Sequence, residues 1–271
     1  MKNSNSVGFI GCGKMAEAII RGIISSGTAS AKEIYISDIA TERTAMMNEE
    51  LGVNVCTDNS ELVKKSEVIV LSIKPNTAAK ILGEVGSLVK EKLVVSIMAG
   101  KTVSFIQGAL SPSAKVIRVM PNSPATLSQG MSAICGNSNV TNNELEKVEA
   151  IFLSVGKVLR VEEEQMDVVT AVSGSGPAYL FQFAEWMISA GVKHGLDYES
   201  ATTLVKQTLL GAATLMDQAK DSPSQLRKNV SCKGGTTLAG LSMFYADNTG
   251  ETVDKVILSA KSRAIELSKE E

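Results

Sequence analysis

Val7-Gly8-Phe9-Ile10-Gly11-Cys12-Gly13-Lys14-Met15-Ala16 sets a short apolar run directly against a GxGxxA element. Met15, Ala16, Ile19, Ile20, Ile23 and Ile24 then recur as one apolar stripe at helical spacing, and Gly27 closes the pattern. A strand, a glycine turn and a helix in this order give each small residue a task. Gly11 permits the tight turn, Gly13 lets the backbone approach a pyrophosphate, and Ala16 allows close helix packing. The free N–H groups at the helix start then face the phosphates. We therefore read a dinucleotide site here.

Asp38 ends the next β-branched run and has two readings. It either accepts hydrogen bonds from the ribose hydroxyls of NAD or caps a helix that starts near Thr41. Arg43 is close enough in sequence to offer a cation to a 2′-phosphate, so the residues leave NADH and NADPH both open.

Working outward, runs at Val7–Ile10, Glu33–Ser37, Val53–Cys56, Val68–Ile73, Leu93–Ile97, Lys115–Met120, Met131–Cys135 and Lys157–Val161 read as strands. Most are unbroken apolar runs, as in a sheet covered on both faces. Separated by helical patterns, they predict an α/β fold with an N-terminal Rossmann-type doubly wound sheet. Ser72-Ile73-Lys74-Pro75 and Ser96-Ile97-Met98-Ala99-Gly100 fall at carboxyl ends of strands, where such sheets bind ligands.

After Val161 the strand signals stop, and Pro177–His194, Glu199–Asp217, Pro223–Asn229, Thr236–Asp247 and Glu251–Ser268 read as helices. The division expected is 1–162 for dinucleotide binding and 163–271 for a helical substrate-binding and dimerisation domain. Ala171–Val192 is too rich in Ala, Gly and apolar residues for one small helical layer to hide, which points to a partner subunit. Ser173-Gly174-Ser175-Gly176-Pro177 should interrupt a helix, for a ligand, a partner chain or a tight helix crossing. Asn229 to Gly240 puts glycines and hydroxyls just before a helix. Its N–H groups either hold an anion such as a carboxylate or are satisfied by Thr236 or Thr237 as a cap.

Composition narrows the classes. The 271 residues carry a formal charge of -2 and no basic run, which argues against nucleic acid and anionic membrane surfaces as partners. The polar start Met1-Lys2-Asn3-Ser4-Asn5-Ser6 lacks the apolar core of a signal peptide, and no apolar stretch reaches the roughly 18–20 residues of a span; we expect a cytoplasmic protein. Cys12, Cys56, Cys135 and Cys232 show no CxxC spacing and His194 is the single histidine, so we expect no metal site and no Ser-His-Asp triad. His194 itself reads as a helix-end residue before Gly195. The chemistry then rests on a cofactor.

VGFIGCGKMAEAII from Val7, LSIKP from Leu71, SIMAG from Ser96, VIRVMPNSPA from Val116, AVSGSGPAY from Ala171 and PSQLRKNVSCKGGTTLAGL from Pro223 occur in this order over nearly the whole chain. In this the sequence resembles pyrroline-5-carboxylate reductase, the enzyme that completes proline biosynthesis. The resemblance implies reduction of L-1-pyrroline-5-carboxylate to L-proline by NADPH or NADH, with NADPH the family's usual donor. It also implies a homodimer, assembled further into a ring of dimers. On the matching positions, Ile10, Gly11, Cys12, Gly13, Lys14, Met15, Ser72, Ile73, Lys74, Pro75, Met98, Ala99 and Asn229 would contact the cofactor, beside Asp38. Glu163, Gly234, Gly235, Thr236 and Thr237 would lie near the substrate, with Thr237 the catalytic residue beside the ring nitrogen. Cys232-Lys233 stands where the family usually has Ser-Pro, which removes one hydroxyl donor to the substrate carboxylate and adds a charge. A β-hydroxyacid dehydrogenase would share the two-domain plan but needs an acid/base side chain, and a nucleotide sensor would not need the second-domain signature.

Overall fold

Short apolar runs bounded by turn residues become strands when both their faces can be covered. The computed structural model describes residues 6–90 and 92–269; the polar start before Ser6 lies outside the described residues. Among the described residues, eight strands form one sheet in the order β3-β2-β1-β4-β5-β6-β7-β8. They are β1 (Val7–Ile10), β2 (Ile34–Ser37), β3 (Asn54–Val55), β4 (Val68–Leu71), β5 (Leu93–Ser96), β6 (Lys115–Met120), β7 (Gly130–Gly136) and β8 (Gly156–Arg160). β1 to β6 are parallel, β7 is antiparallel to β6, and β8 is parallel to β7. The strand order reverses between β1 and β4, and the crevice above that point is where doubly wound sheets bind ligands.

Helices α1 (Lys14–Ser26), α2 (Thr41–Leu51), α3 (Asn59–Lys65), α4 (Ala78–Val85), α5 (Val103–Leu110) and α6 (Asn142–Leu153) connect the strands. Alternate residues of each strand serve opposite cores. Phe9, Val70 and Val95 pack with Ile19, Ile20 and Ile23 of α1 and Phe152 of α6. Ile69, Leu71 and Val94 pack with Leu62 of α3, Leu82 of α4 and Ile106 of α5. This double demand is why the strands read as unbroken apolar runs.

All eight expected strands appear, two with the expected bounds, β7 longer by one residue at each end, β8 shifted by one residue and the other four trimmed. Val53–Cys56 shrinks to a two-residue edge strand, because β3 pairs only with β2. Glu33 leaves β2 to form a reciprocal cap with Ser30 across the preceding turn. The expected interruption at Ser173–Pro177 takes the form of a π-turn and a bend: α7 (Met166–Val169) opens into a π-turn over Thr170–Gly174, in which the Ser175 N–H donates to the Thr170 carbonyl at 2.8 Å, and Ser175 itself is a bend. A Cβ on Gly174 would lie 2.5 Å from the Met120 methyl, so glycine here permits close approach to the end of β6. α8 (Gly176–Lys193) follows, and Pro177 falls in its first turn, where a missing N–H costs nothing.

By packing, the chain forms two compact units, one running through Ser175 and resuming at Ala260, the other Gly176–Ser259. The second unit holds α8, α9 (Tyr198–Gln218), α10 (Pro223–Asn229), α11 (Thr236–Ala246) and the start of α12 (Thr249–Lys269). α12 ends in the first unit, whereas the change of sequence pattern falls at 162/163. Among the described residues no helix is long and apolar enough to cross a membrane.

Candidate active site

The glycine loop is tied into the carboxyl edge of the sheet on both sides. The Gly11 N–H donates to the Ser37 carbonyl at 2.8 Å, and the Ser72 N–H donates to the Ile10 carbonyl at 2.9 Å. Gly11 has φ +95, and a Cβ there would stand 2.3 Å from the Ser72 carbonyl oxygen. Gly13 begins α1 with no side-chain cap, and nothing lies within 4 Å of where its Cβ would be. Open space in front of uncapped N–H groups of a 13-residue helix fits a pyrophosphate. Cys12, inside this loop, is buried, and burial, with the Asp38 charge adding to it, pushes its thiol up to about 12. It stays protonated at neutral pH and is no nucleophile.

Asp38 does not cap α2, whose first residue follows Ala40 with no side-chain cap. Its carboxylate leans toward the glycine loop, accepting from the Cys12 N–H at 2.6 Å and from the Ala40 N–H at 2.8 Å. The helix-cap reading therefore falls, and the carboxylate is left beside the glycine loop. Arg43 is not free to serve a phosphate: its Nε donates to the Cys12 carbonyl at 2.8 Å and its Nη2 pairs with Glu17.

Ser72, Ile73 and Lys74 follow β4, and Pro75 starts a 3₁₀ turn with Lys74 at its cap position. Met98 is turned into the core at 2% exposure, so only its main chain is available to a ligand, beside the half-buried Ala99. Glu163 has structural duties as well. Its Oε1 accepts from the Val103 N–H at 2.6 Å, at the start of α5, and faces Arg118 Nη1 at 3.4 Å. Arg118 is 3% exposed and also faces Asp167 at 3.6 Å. A buried guanidinium requires such carboxylates.

Arg118 and Asn122 are two residues the sequence reading passed over. Asn122 accepts from the Met131 N–H at 2.8 Å and donates to the Ser173 carbonyl at 3.2 Å, so it joins β6, β7 and the π-turn. Their signal was present as an arginine inside an apolar strand and an amide just past its end.

In the second unit, Asn229 ends α10 and is held by Gln225 at 2.8 Å. The chain then turns through Gly234, φ +75, and the Gly235 N–H donates to the Cys232 carbonyl at 3.0 Å. α11 starts after Gly235 with no side-chain cap, so neither Thr236 nor Thr237 satisfies its backbone. The N–H groups at the start of this 11-residue helix and both hydroxyls remain available to an anion. Cys232 and Lys233 are exposed beside them. Around this loop the helices expose apolar residues on several sides, Leu180, Phe181, Trp186, Leu210, Met243 and Tyr245 among them. Only Ala201 and Val205 of α9 are buried in the unit's own packing, where a Cβ on Gly191 of α8 would stand 3.4 Å from the Ala201 Cβ. Helices apolar on so much of their surface call for a covering chain.

Residues 163–267 match the family model described as pyrroline-5-carboxylate reductase dimerisation, and residues 6–100 match NADP oxidoreductase coenzyme F420-dependent. The chain is 36% identical to the pyrroline-5-carboxylate reductase of Methanosarcina acetivorans, covering 98% of this chain and 99% of that protein. The chain belongs to the pyrroline-5-carboxylate reductase family. The enzyme of that name from Arabidopsis thaliana is 38% identical over 98% of this chain and 96% of its own. A pyrroline-5-carboxylate reductase structure from Coxiella burnetii superposes with a TM-score of 0.94 at 32% identity, covering 99% of this chain and all of that one. The Plasmodium falciparum pyrroline carboxylate reductase with NADP bound does so at 0.88 and 29% identity, over 99% of each chain. Membership in this NAD(P)-dependent oxidoreductase family accords with the cradle at Gly11–Met15. It also makes the uncovered helices of the second unit part of a dimerisation domain.

Proposed function

We propose that this chain catalyses the last step of proline biosynthesis, the reduction of L-1-pyrroline-5-carboxylate to L-proline by NADH or NADPH. The observation that carries the reading is the uncapped start of α11 behind Gly234-Gly235, with two free threonine hydroxyls, in a chain similar over its whole length to reductases of that name. The dinucleotide is held by Ile10, Gly11, Cys12, Gly13, Lys14 and Met15, by Asp38, by Ser72 to Pro75, by the main chain at Met98 and Ala99, and by Asn229. When bound, the reduced nicotinamide supplies the hydride that adds to the imine carbon.

The chain's own part is to bind, orient and exclude water. N–H groups at Thr236 and Thr237, fronted by Gly234 and Gly235, receive the substrate carboxylate at the positive end of α11. The Thr237 hydroxyl accepts from the N–H of the protonated ring nitrogen and holds the ring so that its imine carbon faces the hydride. A cyclic imine is basic enough to arrive protonated, so no strong side-chain acid is required, in keeping with a single histidine. Lys233 replaces with charge what Cys232 lacks as a hydroxyl donor. Glu163 shapes the substrate side through Val103 and Arg118. We place the enzyme in the cytoplasm as a homodimer whose helical domains (from residue 163) interlock, with dimers assembled into a ring.

The test is to follow reduced-nicotinamide absorbance with and without the imine. Oxidation that requires the imine is expected, and Thr237→Ala should lower kcat about tenfold or more while leaving cofactor affinity within twofold. Cofactor binding without turnover would contradict the reading and leave a sensor. An unchanged kcat in Thr237→Ala would remove that residue's role.

A further inference from the structure

Where β2 ends, the side chains are arranged for a hydroxyl and against a phosphate. Asp38 stands beside the glycine loop, fixed there by the Cys12 and Ala40 N–H groups, each on a different carboxylate oxygen. Each oxygen keeps a lone pair able to accept from a diol. The next residue, Ile39, is fully exposed and offers neither charge nor donor. Glu42 adds a carboxylate in the first turn of α2.

Arg43 is the one cation between Asp38 and Asn48, and it is engaged. Besides the Cys12 carbonyl it meets Glu17, which Arg21 also holds at 2.7 Å. Burial works against the charge on Glu17, but its hydrogen bonds from Arg21 and Arg43 keep the carboxyl below the usual range. Glu17 therefore stays ionised through the neutral range and keeps its grip on Arg43.

We propose that this chain selects NADH over NADPH at its adenosine end. Asp38 accepts from the ribose hydroxyls, and Glu17 engages the guanidinium that would otherwise pair with a 2′-phosphate. A 2′-phosphate brings negative charge and acceptors only, so it meets the Asp38 carboxylate with repulsion and no hydrogen bond. Ile39 supplies nothing to offset this. The inference rests on the reading above only in taking the Gly11–Met15 cradle as the nicotinamide-dinucleotide site; it needs no turnover.

The experiment titrates NADH and NADPH into the purified protein without substrate, by the fluorescence of the reduced nicotinamide, and then compares kcat/KM for both with the imine. NADH is expected to bind and to turn over at least tenfold better. Ile39→Arg, at an exposed position that does not threaten the fold, is expected to shift the affinity ratio at least tenfold toward NADPH. Glu17→Gln, which releases Arg43, should shift it severalfold the same way. Equal or tighter binding of NADPH by the unsubstituted protein would overturn the proposal, and so would an unmoved ratio in Ile39→Arg. Selective NADH binding with no imine-dependent oxidation would support the selectivity and sink the reductase reading. Imine-dependent oxidation of both cofactors at equal kcat/KM would do the reverse.

Discussion

Gly11→Ala should lower nicotinamide-cofactor affinity by more than a hundredfold and destabilise the first unit by several kcal/mol. Two costs combine. At φ +95 an alanine leaves the region open to L side chains, for about 1–3 kcal/mol. Its Cβ would also meet the Ser72 carbonyl oxygen at 2.3 Å and the Ser72 carbonyl carbon at 2.8 Å. Both are main chain, so no rotamer change relieves the clash. Either the end of β4 or the glycine loop has to move, and the loop's tie to Ser37 and the uncapped start of α1 move with it. Cofactor fluorescence titration together with thermal unfolding checks this. Affinity like that of the unsubstituted protein would contradict the placement of the pyrophosphate on this turn.

Separating the subunits should abolish turnover. Trp186 and Leu210 are each 62% exposed, and Leu180, Phe181, Met243 and Tyr245 are as open. Burying a large apolar side chain contributes about 1.5–3 kcal/mol, so a surface of this kind remains uncovered only without its partner. α11, whose start carries the proposed substrate donors, has no buried residue of its own. Its position therefore depends on whatever covers it. Trp186→Glu combined with Leu210→Glu is expected to yield monomers with less than a hundredth of the activity, read by sedimentation and turnover on the same sample. Full activity in a verified monomer would contradict a site completed by dimerisation.

What was legible in the sequence followed from local rules. The strand, glycine turn and helix at Val7–Ser26 announced themselves by spacing, and α1 ends at Gly27 in the left-handed conformation because the apolar stripe stops there. Double-sided burial made the strands readable as unbroken runs, though their ends moved where a neighbour was missing, as at β3. The less legible parts depend on partners distant in sequence. The sequence leaves Asp38 open to a ribose or to capping α2, and only its contact with Cys12 gives its direction. Arg43 looked free because Glu17 lies on another helix. Arg118 drew no notice inside its strand, since its carboxylates belong to Glu163 and Asp167 far along the chain. Two glycines and a proline at Gly174–Pro177 mark an interruption but not its form, because helix propensity does not register a π-turn, which spends its extra residue beside Met120 before the bend at Ser175.

Hydride transfer to the substrate ring is tested most directly with reduced nicotinamide cofactor carrying deuterium at both C4 positions. The protein is incubated with the deuterated cofactor and pyrroline-5-carboxylate, and the proline formed is examined by mass and NMR. One deuterium at C5 of L-proline per cofactor oxidised, on one face, is the predicted result. Cofactor oxidation that leaves proline unlabelled, or no proline at all, would contradict the account.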